Sequence, residues 1–196
     1  IDPHLPLSPQ RLYAQVSRTT ASDASPTPAA ASSASAPTTA SLAEGIRQYQ
    51  AENYEEAIEI LKKARQEDPS SSTAAFFLGM SYKQTGDLIN AAPAFQDAST
   101  LKPAVKEAVV ELIDALVQLE RFDEAAVWID TAERNGIYPA KVFFLKGMTL
   151  MRQRRFEQAV TAFEKAKELD KGYAQAVDVQ IGVAYLADRK YNKAKE

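Results

Sequence analysis

From residue 38 onward the chain alternates apolar and polar positions at helical spacing, in stretches separated by short breaks. Apolar residues recurring every third or fourth position predict amphipathic helices. The stretches are also copies of one another. Alanine recurs at Ala57, Ala91, Ala125, Ala159 and Ala194, spaced 34, 34, 34 and 35 residues apart. A second alanine recurs at Ala64, Ala98, Ala132 and Ala166, spaced 34 throughout. A large apolar side chain recurs at Tyr54, Leu88, Phe122, Phe156 and Tyr191, glycine at Gly45, Gly79, Gly147 and Gly182, and proline at Pro69, Pro103 and Pro139. A period of this length marks a repeat architecture.

Each unit predicts two helices. The first runs through the glycine and the second starts near the large apolar residue. Glycine on the first helix and the first alanine on the second allow close approach of the two backbones. The second alanine does the same toward the next unit. Leu78, Tyr82, Phe95, Leu112, Phe143, Leu150 and Phe163 fill the remaining space. Proline stops the second helix, because the residue before it avoids helical geometry. One unit cannot bury its apolar face alone, so stacking supplies the stability. The expected fold is all-α, with antiparallel helix pairs at 38–71, 72–105, 106–139 and 140–173 and a partial fifth unit at 174–196.

These residues resemble the tetratricopeptide repeat (TPR). The second unit is the best copy, with Leu78-Gly79, Tyr82, Gly86-Asp87, Ala91, Phe95, Ala98 and Pro103. The resemblance implies a right-handed superhelix. Three departures stand out. Ile113 replaces the family's glycine in the third unit, so its helices should sit farther apart. That unit is two residues longer before Pro139. Pro93 lies within a second helix, where it should bend the backbone. The fifth unit ends at Glu196, just inside its second helix and without a polar capping helix, so the natural protein is expected to continue.

Residues 19–40 contain only Ala, Ser, Thr, Pro and Asp23. Such a stretch lacks the apolar side chains needed to offset the entropy of ordering. It reads as a linker stiffened by Pro26, Pro28 and Pro37, which makes 1–37 a flexible tail. Ahead of it, Ser8-Pro9 suits a helix start, and a short helix over 9–18 would align Leu12, Tyr13 and Val16 on one face.

By its resemblance to TPR arrays, the chain should use its first helices to line a concave groove. The positions carried over are Leu42, Ile46 and Tyr49; Phe76, Met80 and Lys83; Val110, Asp114 and Val117; Lys141, Phe144, Met148, Met151 and Arg152; and Val179, Val183 and Leu186. The set is largely apolar and contains every methionine of the chain. Methionine suits surfaces that accept varied apolar partners. Some of these residues could equally be core, since neighbouring first helices touch. TPR domains that grip a chaperone's terminal carboxylate use Lys, Asn and Arg. The matching positions here are Leu42, Ile46, Phe77, Glu107 and Glu111, and only Lys141 fits in the next register, so the acids would repel a carboxylate.

Composition narrows the chemistry. The net charge is −3 with a pI near 5.4, which disfavours nucleic acid, a polyanion that Lys and Arg must neutralise. Asn135-Gly136-Ile137-Tyr138-Pro139 resembles the ending of an RNA-reading pentatricopeptide repeat, but only one unit has it. No run of apolar residues is long enough to span a membrane. Cysteine is absent and His4 is the sole histidine. That leaves no zinc set and no Ser/His/Asp triad. No phosphate-cradling glycine loop is present. Glu55, Glu56, Glu59, Asp123 and Glu124 read as helix-start and outer-face acids. Arg152, Arg154 and Arg155 cluster at an inter-helix turn. An Ala/Ser/Thr/Pro linker without cysteine suits an exported bacterial protein, with the cytoplasm as the alternative. The expectation is a non-enzymatic, cofactor-free module that holds an apolar segment of another protein. The alternative is a self-assembling scaffold, a homo-oligomer whose tail docks into the groove.

Overall fold

The computed structural model describes residues 35–189, with side chains from residue 40 onward. Among these residues there are nine α-helices and no strand. They are α1 (Ser35–Gln50), α2 (Tyr54–Glu67), α3 (Ser72–Gln84), α4 (Leu88–Thr100), α5 (Lys106–Gln118), α6 (Phe122–Arg134), α7 (Ala140–Arg152), α8 (Phe156–Leu169) and α9 (Ala174–Ala187), with a 3₁₀ turn at Lys171–Tyr173 before α9. Successive helices pack as antiparallel pairs, and the pairs stack in a right-handed superhelix. Direct approach between alternate helices is closest for first helices, α1 with α3 and α5 with α7; no two second helices come as near. The first helices therefore form the inner wall.

The sequence builds each element locally. Second helices bury a stripe of small and large residues: Ala57, Leu61 and Ala64 on α2, Ala125, Ile129 and Ala132 on α6, and Ala159, Phe163 and Ala166 on α8. Ser71 caps α3 by accepting from the Ala74 N–H at 3.2 Å, and Asp87 caps α4 by accepting from the Asn90 N–H at 3.2 Å. Glu55, Glu56, Asp123 and Glu124 occupy first turns, exposed, where the helix dipole favours negative charge.

The turn after each first helix has one design. Glu52, Gly86, Glu120, Arg154 and Arg189 take φ of 62°, 80°, 58°, 60° and 59°. In the first four pairs the next residue's N–H reaches back into the first helix: Asn53 to the Gln48 carbonyl at 2.9 Å, Asp87 to Tyr82 at 2.8 Å, Arg121 to Leu116 at 2.9 Å and Arg155 to Leu150 at 2.9 Å. A left-handed residue after the helix frees the chain to reverse and satisfies the last carbonyls.

Several expectations need correcting. α1 begins at Ser35 rather than 38, so residues 35–40 of the proposed linker are helical. Pro37 is tolerated there because a first-turn N–H has no intrahelical partner. The rest of the tail, including 9–18 with Leu12, Tyr13 and Val16, lies outside the described residues, as does Tyr191. As expected, the exposed Pro93 lies inside α4. Pro139 does not stop α6. Gly136, at φ 69°, does so, with the Ile137 N–H bonded to the Ala132 carbonyl at 2.9 Å, and Pro139 instead precedes α7.

The third pair is the least tightly approached of the four complete ones, as Ile113 leads one to expect. Two cores result. One runs from Ile46 to Leu145, the other from Leu150 to Val177, and Met148 packs against both.

Candidate binding groove

By repeat register the carried-over positions fall into three rows, one residue per repeat. Leu42, Phe76, Val110, Phe144 and Val179 make the first. Ile46, Met80, Asp114, Met148 and Val183 make the second. Tyr49, Lys83, Val117, Met151 and Leu186 make the third.

The structure divides this set. Ile46, Phe76 and Val117 are core residues, with exposures of 0%, 3% and 9%. All three belong to the first core, so a groove register does not guarantee a groove surface. Phe76 packs its ring against Phe77 and Phe95. Tyr49 is half-buried between Tyr54 and Phe77, at ring distances of 5.7 and 5.5 Å. Leu42, Met80 and Val110 are partly buried against the first core. Phe144, Met148 and Met151 are half-buried against the second, with the Phe144 ring 5.4 Å from that of Tyr173. Val179, Val183 and Leu186 are exposed by 59%, 45% and 52%. Within this set the open apolar residues are thus concentrated on α7 and α9.

Between the two ends lies a charged belt that the sequence reading did not assemble. Lys83 on α3 donates to Glu111 at 2.5 Å and to Asp114 at 2.6 Å, both on α5. Lys141 on α7 donates to Glu111 at 3.0 Å and to Asp114 at 2.9 Å. Gln118 donates to the other Asp114 oxygen at 2.9 Å. Burial works against the charge on Asp114, but hydrogen bonds from Lys83 and Lys141 and the charge of Lys141 outweigh it and hold the carboxyl below its usual range. Burial opposes the charge on Lys83 too, and the bonds to Asp114 and Glu111 win, raising its pKa. Burial raises the Tyr173 phenol, and the charges of Asp170, Asp114 and Glu111 push it further. Each lysine–carboxylate contact of the belt joins residues 27 to 31 positions apart. The available signal was the appearance of acids at apolar positions. Glu111 stands where Phe77 and Leu145 stand in adjacent repeats, and Asp114 where Ile46, Met80 and Met148 stand.

Arg152 lies 5.2 Å from the centre of the Phe122 ring and pairs with Glu120 at 3.3 Å. Arg154 is the left-handed turn residue, and Arg155 bonds Gln153 at 3.3 Å. The arginine cluster is therefore part of the turn. On the opposite side, a cleft of about 830 Å³ opens between α6 and α8 over the outer face of α7. Phe143 lines it where Ala75 and Val109 are buried in earlier repeats. Lys146 stands where Leu78 and Leu112 are core, and pairs with Glu133. Among the described residues no helix is long and apolar enough to cross a membrane, and no group of three or more acidic or histidine residues is placed to hold a metal.

A superhelix of helix pairs, with the first helices on its inner wall, is the architecture of a protein-interaction solenoid. Residues 42–104 and 78–140 match one tetratricopeptide-repeat family model, and residues 140–173 match another. The chain belongs to the tetratricopeptide-repeat family. Among solved structures it is similar to MamA, at 22% identity and a TM-score of 0.72 over 80% of this chain and 85% of that one. It is similar to YrrB, described as a TPR protein with an unusual peptide-binding site, at 23% identity and 0.69 over 79% of each chain. It also resembles PilF of Pseudomonas aeruginosa, at 22% and 0.64 over 84% of this chain and 74% of that one. These likenesses concern the fold. No curated relative matches the sequence.

Proposed function

We propose that the chain binds an apolar peptide or helix of a partner protein along its inner wall, chiefly on α7 and α9. The observation that carries this reading is the exposure of Val179, Val183 and Leu186 in the same three rows as Phe144, Met148 and Met151. A contiguous apolar concavity is a surface that function must account for. Each large side chain buried there by a ligand contributes about 1.5–3 kcal/mol before the cost of ordering the ligand. A few anchors then dominate affinity.

Met148→Glu and Val183→Glu test the reading against Ile89→Glu, a control on α4 at a side chain that is 73% exposed. Capture of partner segments from a peptide display library should be lost in the first two and retained in the control, with helical circular dichroism unchanged in all three. Retention of binding by both groove variants would remove the groove as the site.

A further inference from the structure

The belt has unspent hydrogen-bonding capacity and no net charge. An ammonium carries three N–H donors. Lys83 commits two of them, to Glu111 and Asp114, and Lys141 commits two to the same carboxylates. Among the described residues each lysine therefore keeps one donor. Two cations face two anions, so the formal charges cancel within the belt. Its side chains are 14% to 30% exposed, so a segment lying in the groove reaches them, yet they are far from fully hydrated. Lys141 lies on α7 itself, and Tyr173, whose ring is 5.4 Å from that of Phe144, feels the charges of Asp114 and Glu111, so a segment anchored on α7 passes near the belt.

A ligand carboxylate placed there meets Glu111 and Asp114. A ligand ammonium or guanidinium meets Lys83 and Lys141. Either charge is desolvated and meets a like charge beside every opposite one, so a belt whose charges cancel does not compensate it, and an uncompensated charge in a half-buried site is costly. An amide carbonyl takes up the spare donors and adds no charge.

We infer that the belt of Lys83, Glu111, Asp114 and Lys141 sets the specificity of the groove: it admits an apolar polypeptide segment that presents an uncharged amide carbonyl to Lys83 and Lys141, and it rejects a segment that places a charged side chain there. This rests on the groove reading above. It assigns the belt a selective role, beyond joining α3, α5 and α7.

The test is selection from a random-peptide display library by the full chain and by two charge variants. The wild-type pool should be apolar and uncharged at the residue beside its anchors. Glu111→Gln with Asp114→Asn leaves both lysines unanswered and should turn the pool acidic. Lys83→Gln with Lys141→Gln should turn it basic. Resynthesised peptides should show at least about a tenfold change in the affinity ratio of charged to neutral ligands between wild type and variant, roughly 1.4 kcal/mol. If a double variant loses its helical signal, Asp114→Asn and Lys141→Gln alone carry the same comparison. A wild-type pool charged beside its anchors, or variant pools with unaltered charge, would overturn the inference and leave the groove standing. No enrichment by folded wild type would remove the groove reading and this inference with it.

Discussion

Gly147 lies against the face of Phe163, so closely that a β-carbon on the glycine would stand 2.5 Å from the ring. Gly79 and Phe95, and Gly45 and Leu61, repeat the relationship at 2.7 Å. In the third repeat the pair is Ile113 with Ile129, both buried. Bulk has moved from the second helix to the first. Gly147→Ala should therefore cost about 1–3 kcal/mol through overpacking. Phe163→Ile should recover part of that loss in the alanine background although it destabilises the native chain. A double-mutant cycle by urea denaturation reads the coupling, expected at about 0.5–3 kcal/mol. Additive effects would show that the two positions do not share a packing constraint.

The left-handed turn residues offer a gain in stability. Gly86 adopts its φ freely, while Glu52 and Arg154 adopt nearly the same backbone with side chains. A non-glycine residue there costs about 1–2 kcal/mol, and glycine gives back part of that in unfolded-chain entropy. Glu52→Gly and Arg154→Gly should each stabilise the chain by about 0.5–1 kcal/mol. Thermal melts of the single variants and of the pair check this, and a lowered melting temperature would contradict it.

The belt gives stability a defined pH window. The Asp114 carboxyl is held below its usual range, so its contribution is present above the unfolded value of about 3.9 and is lost as pH falls through the depressed one. The Lys83 ammonium is held above its usual value, so its contribution is present below about 10.4 and is lost as pH rises through the raised one. Melting temperature should be level between those limits and fall on both sides. Asp114→Asn should flatten the acid limb, and Lys83→Met the alkaline limb. Parallel profiles for wild type and variants would show that other groups control both limbs.

Phe76 and Met151 share groove positions by register but differ in burial. Phe76→Ala should cost about 3–5 kcal/mol of stability, as expected for a truncated core aromatic. Met151→Ala, at a half-buried position, should leave the melting temperature nearly unchanged and weaken peptide capture. The contrast fails if Met151→Ala is the more destabilising of the two.

This contrast marks how far the residues speak for themselves. The helix pairs were legible because Ala57, Ala91, Ala125 and Ala159 repeat a steric requirement, and each copy confirms the others. The looser third pair followed from Ile113 alone. The groove was only half legible, since its register names Ile46, Phe76 and Val117 without saying that they are drawn into the core. The belt was harder still. Lys83, Glu111, Asp114 and Lys141 belong to three repeats, and their partnership depends on the angle between helices that no single repeat encodes. The end of α6 misled because two signals compete there, and Gly136, with its left-handed backbone, acts before Pro139 can.

The division of the core at α7, with Met148 touching both parts, has a consequence for how the molecule comes apart under load. A one-dimensional array passes tension from neighbour to neighbour, and it yields where successive helices are least closely packed. Here that place is the α6–α7 junction, spanned by Lys146 and Glu133 where earlier repeats bury leucine. Pulled from its ends, the chain should lengthen in two steps, with α7, α8 and α9 paying out first and the block from α1 to α6 holding to higher force.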